Sequence, residues 1–321
     1  MEKEAIMNKN PVQFQHGESL FSFIKRFGSD DQCRQALFKT RWPEGFRCPE
    51  CGAEEYCFLS ERQLYQCNRC HHQTSVIAGT LFEATKLPLK SWFLGMYLIA
   101  QNKDGISSLN LARQLGTSQN SAWLMKHKLM QAMLEAENRQ PLDGRIEVDD
   151  AYWGGERRGG KRGRGAPAKY PFIAAAQTTD EGRPIRMKCS AVNGFRKQTV
   201  TQWAEKLLTG GSHVISDGLG GFRGIDDAGI EHSAIITGGG AASMEILALQ
   251  WVNIILGNLK NSIHGTYHSI QGKHLPRYLA EFNYRFNHRF ALNRIVDRLL
   301  LDVARTPPMP QRLVKLAEVA W

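Results

Sequence analysis

The chain has 321 residues, enough for two or three separate cores, and its 41 Lys+Arg against 31 Asp+Glu give a formal charge of +10 and a pI near 9.3. That balance favours a polyanionic partner and says nothing about fold. No uncharged apolar run reaches the roughly 18 residues of a membrane span, and Met1–Asn10 lacks the apolar stretch of a signal peptide, so no membrane association and a cytoplasmic location are expected.

Leu20, Phe23, Ile24 and Phe27 recur at the spacing of one buried helix face, so residues 18–27 read as a helix. A second helix, from about Gln32 to Thr40, is expected to turn Ala36 and Leu37 inward, to take Asp30 or Asp31 as its N-cap and to stop before Trp42-Pro43. Cys33 has no partner at ligand spacing and reads as a buried thiol.

Cys48-x₂-Cys51 and Cys67-x₂-Cys70 follow, with 15 residues between them. Each pair can form a tight knuckle, the interval fits a hairpin, and seven Cys in a cytoplasmic chain speak for metal rather than disulfides. A tetrahedral S₄ zinc ribbon is expected, structural because four thiolates close the shell. His71 and His72 adjoin the last ligand, and Cys57 is spare. The ribbon would present Arg47, Arg62, Tyr65 and Arg69 to DNA or to another domain.

A β-like run over 73–81 precedes helices over 91–136. Leu111, Ala112, Leu115, Trp123 and Leu124 give the core pattern of a helix-turn-helix with its turn at Gly116 and its second helix capped by Thr117 or Ser118. Gln119, Asn120, Lys126 and Lys128 would then be available to DNA.

Pro141-Leu-Asp-Gly144 marks a boundary. Beyond it, Ile146–Gly155 reads as a strand carrying Asp149 and Asp150, with Glu147, Asp149 and Ala151 on one face and Val148 and Asp150 on the other. The Gly-rich loop after it carries Arg157, Arg158, Lys161, Arg162 and Arg164, suited to a phosphate backbone. Such an acid pair also fits a solvated turn, so the rest of the chain has to decide. Strands are expected over 169–178, 183–192, 212–216 and 232–237, and helices over 199–208, 243–261 and 273–305. The strand at 212–216 delivers Asp217 into Gly218. On the last helix Arg277, Arg285, Arg289 and Arg294 fall largely off the apolar stripe and read as a solvated or DNA-facing surface.

The order β-β-β-α-β-β-α-α implies a mixed sheet flanked by helices. It resembles an RNase H-like core, in which the first and fourth strands are neighbours and acids 68 residues apart, Asp149 and Asp217, would meet.

The cysteine pairs, the helix-turn-helix, Val148–Gly155, Ile215–Gly218, Trp251–Lys260, Gly265–His268 and Tyr278–Arg289 together resemble the zinc-ribbon insertion-sequence transposases of the 1595 family, from the ribbon to about residue 290. The resemblance implies Mg²⁺-dependent DDE-type cleavage at the 3′ ends of an element's inverted repeats, then strand transfer. Its first two acids map onto Asp149 and Asp217, which would hold two Mg²⁺ ions. Its third position maps onto Asn253, with Lys260 seven residues on. About 100° per residue brings those two to one helix face, whereas Asn258 diverges from Lys260 by about 200°. Glu245 and Glu281 are rival carboxylates for that third position, and Asp150 is the alternative to Asp149.

The implied partners are double-stranded DNA, as element ends and target, and further copies of the chain in a homo-oligomer. The expected segments are an N-terminal helical part (1–43), the zinc ribbon (44–82), a helix-turn-helix region (83–140), an RNase H-like catalytic domain (141–305) and a tail (306–321). A non-catalytic zinc-ribbon regulator and an RNase H-like nuclease are the competing readings.

Overall fold

Ser19 and Ser29 start the first two helices. In the computed structural model, which describes residues 17–154, 169–236, 247–267 and 270–319, helix α1 (Leu20–Phe27) begins where Ser19 Oγ accepts the Ser22 N–H at 3.1 Å. Helix α2 (Asp30–Arg41) begins with a reciprocal box, in which Ser29 Oγ accepts from Gln32 N at 3.2 Å and Gln32 Oε1 accepts from Ser29 N at 3.0 Å. Ser29 thus replaces Asp30 or Asp31 as the expected cap. Both acids instead lie in the first turn, where negative charge meets the positive end of the helix dipole. On α1 only Phe23 and Phe27 are buried, while Leu20 and Ile24 are exposed.

The backbone gathers into two compact units: Met1–Asn102 with Gln114–Gly116 and His288–Pro308, and Lys103–Arg113 with Thr117–Asn287 and Met309–Trp321. Besides α1 and α2, the first holds the antiparallel strands β1 (Tyr56–Leu59), β2 (Leu64–Cys67) and β3 (Gln73–Thr74) in that order. The β-like run expected to reach residue 81 stops at Thr74 and continues as turns. Helix α3 (Leu89–Gln101) buries Trp92, Phe93, Met96 and Ile99 in this unit.

Helices α4 (Ser108–Leu115) and α5 (Gln119–Asn138) are joined through Gly116 at φ +62°, and Ser118 Oγ caps α5 by accepting from Ser121 N at 3.1 Å. Five strands follow: β4 (Arg145–Trp153), β5 (Tyr170–Thr178), β6 (Pro184–Ala191), β7 (His213–Asp217) and β8 (Glu231–Ile235). They form one mixed sheet in the order β6-β5-β4-β7-β8, antiparallel from β6 to β4 and parallel from β4 to β8. A parallel neighbour needs a crossover, and α6 (Lys197–Leu207) lies in that connection from β6 to β7.

Alternation along β4 then sorts the two faces. Ile146 and Val148 pack with Val200, Ala204 and Leu207 of α6. Ala151 and Trp153 pack on the other face with Val252, Ile255 and Leu259 of α8 (Gln250–Tyr267) and Leu279 and Phe282 of α9 (Leu275–Asn287).

Strand β6 lies at the sheet edge, where outward backbone groups need partners. Two amides of α9 supply them. Asn283 accepts from Cys189 N at 2.9 Å and donates to Cys189 O at 3.0 Å, and Asn287 does the same with Met187 at 2.8 and 3.0 Å. The i, i+4 spacing on the helix matches the i, i+2 spacing on the strand, since both are about 6 to 7 Å.

The single helix expected over 273–305 is broken after Asn287. A 3₁₀ stretch, Arg289–Arg294, contains Ala291 at φ −138°, ψ 42°, and α10 (Ile295–Arg305) restarts beyond it. Helix α9 belongs to the second unit and α10 to the first, so the expected segment 141–305 is divided between them. The arginines read as surface on that run are largely buried. Arg277 donates to Gln131 Oε1 and to Val314 O of α11 (Gln311–Leu316), both at 2.9 Å, and Arg285 and Arg289 are buried too, leaving Arg294 exposed.

Candidate active site

The parallel pairing of β4 with β7 runs from Arg145↔His213 to Val148↔Ser216, which puts Asp149 and Asp217 one step beyond the last pair. Both follow the alternation onto the α8 face, because Ile215 and Ala151 pack there. Asp149, Asp150 and Asp217 each offer a carboxylate oxygen, all within 4.8 Å of one another. Alternation places Asp150 on the opposite face, yet its carboxylate reaches this group. The β4–β7 pairing stops at Val148↔Ser216, so on that side Asp150 lies past the last paired residues.

Burial, then the charges of Asp217 and Asp150, pushes the Asp149 carboxyl up to about 6, against the lowering effects of the Asp150 N–H and the Lys260 ammonium. Asp149 Oδ1 accepts that N–H at 2.8 Å, and Asp217 Oδ1 accepts the Leu219 N–H at 3.1 Å. Three carboxylates this close repel one another unless a cation joins them. All their ligand atoms are hard oxygens, as Mg²⁺ requires.

Helix α8 runs beside β4. Its Trp251 and Val252 amides donate to Glu147 Oε2 at 2.8 and 3.1 Å, and the His264 ring lies 5.0 Å from the Trp153 ring. Asn253 follows these amides directly and is half-buried, whereas Asn258 and Lys260 are exposed. Sequence reasoning missed the part played by Glu147. Its only signal was a place on the same strand face as Asp149.

The rival Glu281 is engaged elsewhere. It is buried, accepts from Tyr267 Oη at 2.9 and 3.0 Å and lies 3.5 Å from Lys126 Nζ. Glu245 and the basic loop with Arg157, Arg158, Lys161, Arg162 and Arg164 lie outside the described residues.

Lys126 and Lys128, expected to face DNA, require correction. Lys126 is 1% exposed, donates to Ile106 O at 2.7 Å and stands 3.7 Å from the centre of the Tyr267 ring. Burial pulls its ammonium down to about 8 against the raising effect of Glu281. Lys128 is also buried, at 8% exposed. The reason is that α5 is covered on nearly all sides from Met125 to Met133, in part by α9, and only its first turn, with Gln119 and Asn120, is open.

The cysteines form a second cluster, in the first unit. Cys48, Cys51, Cys67 and Cys70 all lie within 4.8 Å of one another, with Sγ–Sγ distances of 3.6 Å for Cys48–Cys70 and Cys51–Cys67. Each pair folds alike: Gly52 N donates to Cys48 O and His71 N to Cys67 O, with left-handed φ at Gly52 (+72°) and His71 (+59°). The N–H of Cys70, chiefly, draws the Cys67 thiol down to about 7. Against the lowering effect of the His72 N–H, burial and the neighbouring thiols push Cys70 up to about 12. Such a set suits one thiophilic cation. Cys33 and Cys189 are buried apart from it, and Cys57 is exposed.

Two comparisons join these features. Residues 141–287 match the ISXO2-like transposase domain, and residues 28–73 match the transposase zinc-ribbon domain. The chain belongs to this insertion-sequence transposase family of the 1595 type. The transposase-domain match begins just before β4 and ends at the last residue of α9, so it contains the whole five-stranded sheet and the three carboxylates. Its zinc-ribbon match contains the first three clustered cysteines and Cys70. A relative from Halobacterium salinarum, described as an uncharacterized protein in transposable element ISH50, is 29% identical over 224 residues, covering 64% of this chain and 72% of that protein. Among the described residues no helix is long and apolar enough to cross a membrane.

Proposed function

We propose that this family member is a DDE-type transposase that binds the terminal inverted repeats of its own insertion sequence, cleaves at their 3′ ends and transfers those ends to target DNA. The observation that carries the reading is the meeting of Asp149 and Asp217, from the ends of two adjacent parallel strands, in one carboxylate group. The strand order β6-β5-β4-β7-β8 supports an RNase H-like core.

In this reading Asp149 and Asp217 would hold Mg²⁺, which when bound would activate an attacking oxygen and stabilise a leaving one. Asn253 contributes an amide oxygen without charge, and Lys260 sets a cation beside the DNA phosphate. Water attacks the phosphodiester at the element end, the P–O bond to the element's 3′ oxygen breaks, and a free 3′-OH and a 5′-phosphate remain. The 3′-OH then attacks a target phosphodiester, so no covalent protein intermediate is needed.

Zinc at Cys48, Cys51, Cys67 and Cys70 would fix the ribbon, leaving its surface for DNA. The layout of α4, Gly116 and α5 supports a helix-turn-helix in which Gln119 and Asn120, rather than the buried lysines, reach DNA. Two DNA ends must be held together, so a homo-oligomer is the working form.

The test incubates purified protein with Mg²⁺ and a labelled duplex carrying the element ends, beside Asp149→Ala. Cleavage and joining that disappear in the variant are expected. Specific end binding without cleavage by the wild type, in Mg²⁺ or Mn²⁺, would leave only a DNA-binding regulator.

A further inference from the structure

We propose that Glu147 is a positioning residue, whose buried carboxylate locks the first turn of α8 to β4 and thereby fixes where Asn253 stands relative to Asp149. The inference rests on the role given to Asn253 above.

Glu147 is 1% exposed and stands two residues before Asp149 on the same face of the strand. Its Oε2 accepts the N–H groups of Trp251 at 2.8 Å and Val252 at 3.1 Å. Its Oε1 is held by Arg145 Nη1 at 3.0 Å. Arg145 also donates to Thr178 Oγ1 at 2.9 Å and to Ala248 O, just ahead of α8, at 3.2 Å. One ion pair therefore ties two strands to the approach and the first turn of the helix.

The opening amides of a helix need acceptors, usually from a Ser, Thr, Asp or Asn immediately before it. A 3₁₀ stretch, Leu247–Leu249, runs directly into α8, and the Leu249 side chain offers no acceptor. The acceptor comes instead from a strand about 100 residues away in sequence, and its negative charge meets the positive end of the helix dipole. Stability alone does not call for this arrangement, because a local serine would cap the helix without burying a charged pair. Buried pairs add little net stability after desolvation, and their best-attested use is to fix registry.

The consequence is geometric. Asn253 directly follows the second locked amide, and Asp149 lies about 7 Å along the strand from Glu147. Helix α8 contains no proline, so a shift in its first turn carries to Asn253 and on to Lys260.

The experiment compares wild type, Glu147→Gln, Asn253→Ala and the double variant as full-length, zinc-loaded protein. It measures end cleavage in Mg²⁺, end binding, Mn²⁺ affinity by electron paramagnetic resonance, and amide exchange at Trp251 and Val252 without added Mg²⁺. Glu147→Gln is expected to keep end binding, to speed exchange at both amides and to slow cleavage by about 10- to 100-fold, the scale of a misplacement near 1 Å. In the Asn253→Ala background the same change should alter cleavage and Mn²⁺ affinity by less than about 3-fold, as for residues acting as one unit. Equal losses in both backgrounds, or unchanged exchange, would overturn the proposal. Should Glu147→Gln not fold, Glu147→Asp keeps the charge on a shorter reach and is read the same way. Asn253→Ala with wild-type cleavage and Mn²⁺ affinity would instead sink the role of Asn253, while the exchange data still report whether Glu147 holds the helix.

Discussion

Asp149 and Asp217 approach as the next register step after Val148↔Ser216, and the Asp217 charge raises the cost of ionising Asp149. Burial and these neighbours hold the Asp149 carboxyl near 6, above the ordinary 3.8. The folded state therefore binds this proton more tightly than the unfolded chain. Its stabilising contribution is full below about pH 4 and is lost as pH rises through 6. Without added Mg²⁺, the zinc-loaded wild type should lose about 2 to 3 kcal/mol over that window from this group. Asp149→Asn should show a flatter stability profile there and be the more stable protein at pH 7. Thermal melts from pH 4 to 8 check this, and parallel profiles for both proteins would contradict it. With Mg²⁺ present the carboxylate is held ionised, so metal affinity should rise with pH through the same window.

The cysteine cluster makes a separate prediction. Cys67→Ser removes one of four thiolates from a fully buried position. Zinc content should fall well below one equivalent, and amide protection should vanish over β1 to β3, because structural zinc supplies on the order of 10 kcal/mol to so small a unit. Elemental analysis with hydrogen exchange decides. Full zinc retention would remove Cys67 from the ligand set.

Asn283→Ala strips Cys189 of partners for both its N–H and its C=O at the sheet edge. A loss of about 2 to 5 kcal/mol is expected for two unpaired backbone groups. Exposure of the β6 edge should also promote aggregation. Chemical denaturation and light scattering measure the two effects.

Lys126→Ala separates burial from DNA contact. Removing the buried ammonium 3.5 Å from Glu281, which then keeps Arg285 Nε at 3.8 Å, should cost about 3 kcal/mol, the low end for breaking a buried pair. The salt slope of end binding should not change, since a buried ammonium releases no counterion. A slope lowered by about one at constant fold would restore Lys126 to the DNA surface.

Much of this molecule is written in local spacing. The two Cys-x₂-Cys pairs mark their knuckles because each needs only four or five consecutive residues and one left-handed position. The strands from Ile146 to Asp217 are readable because alternation and bounding glycines are properties of short segments. The family resemblance, too, lies in such short motifs taken in order.

What the tertiary structure decided was where charged and polar side chains end up. Lys126 lies 155 residues from Glu281, and no helical period announces that partner, so a lysine on α5 reads as surface until α9 covers it. Ala291 breaks the last helical run although the apolar stripe continues through it, because the two halves bury their faces in different units. Asp150 joins the carboxylate group against its own alternation, at a point past the last β4–β7 pair, Val148↔Ser216. Glu147 meets the start of α8 by tertiary placement too: a cap across 104 residues depends on which strand the helix lands beside, and that is fixed by the packing of the sheet, which short-range pattern cannot express.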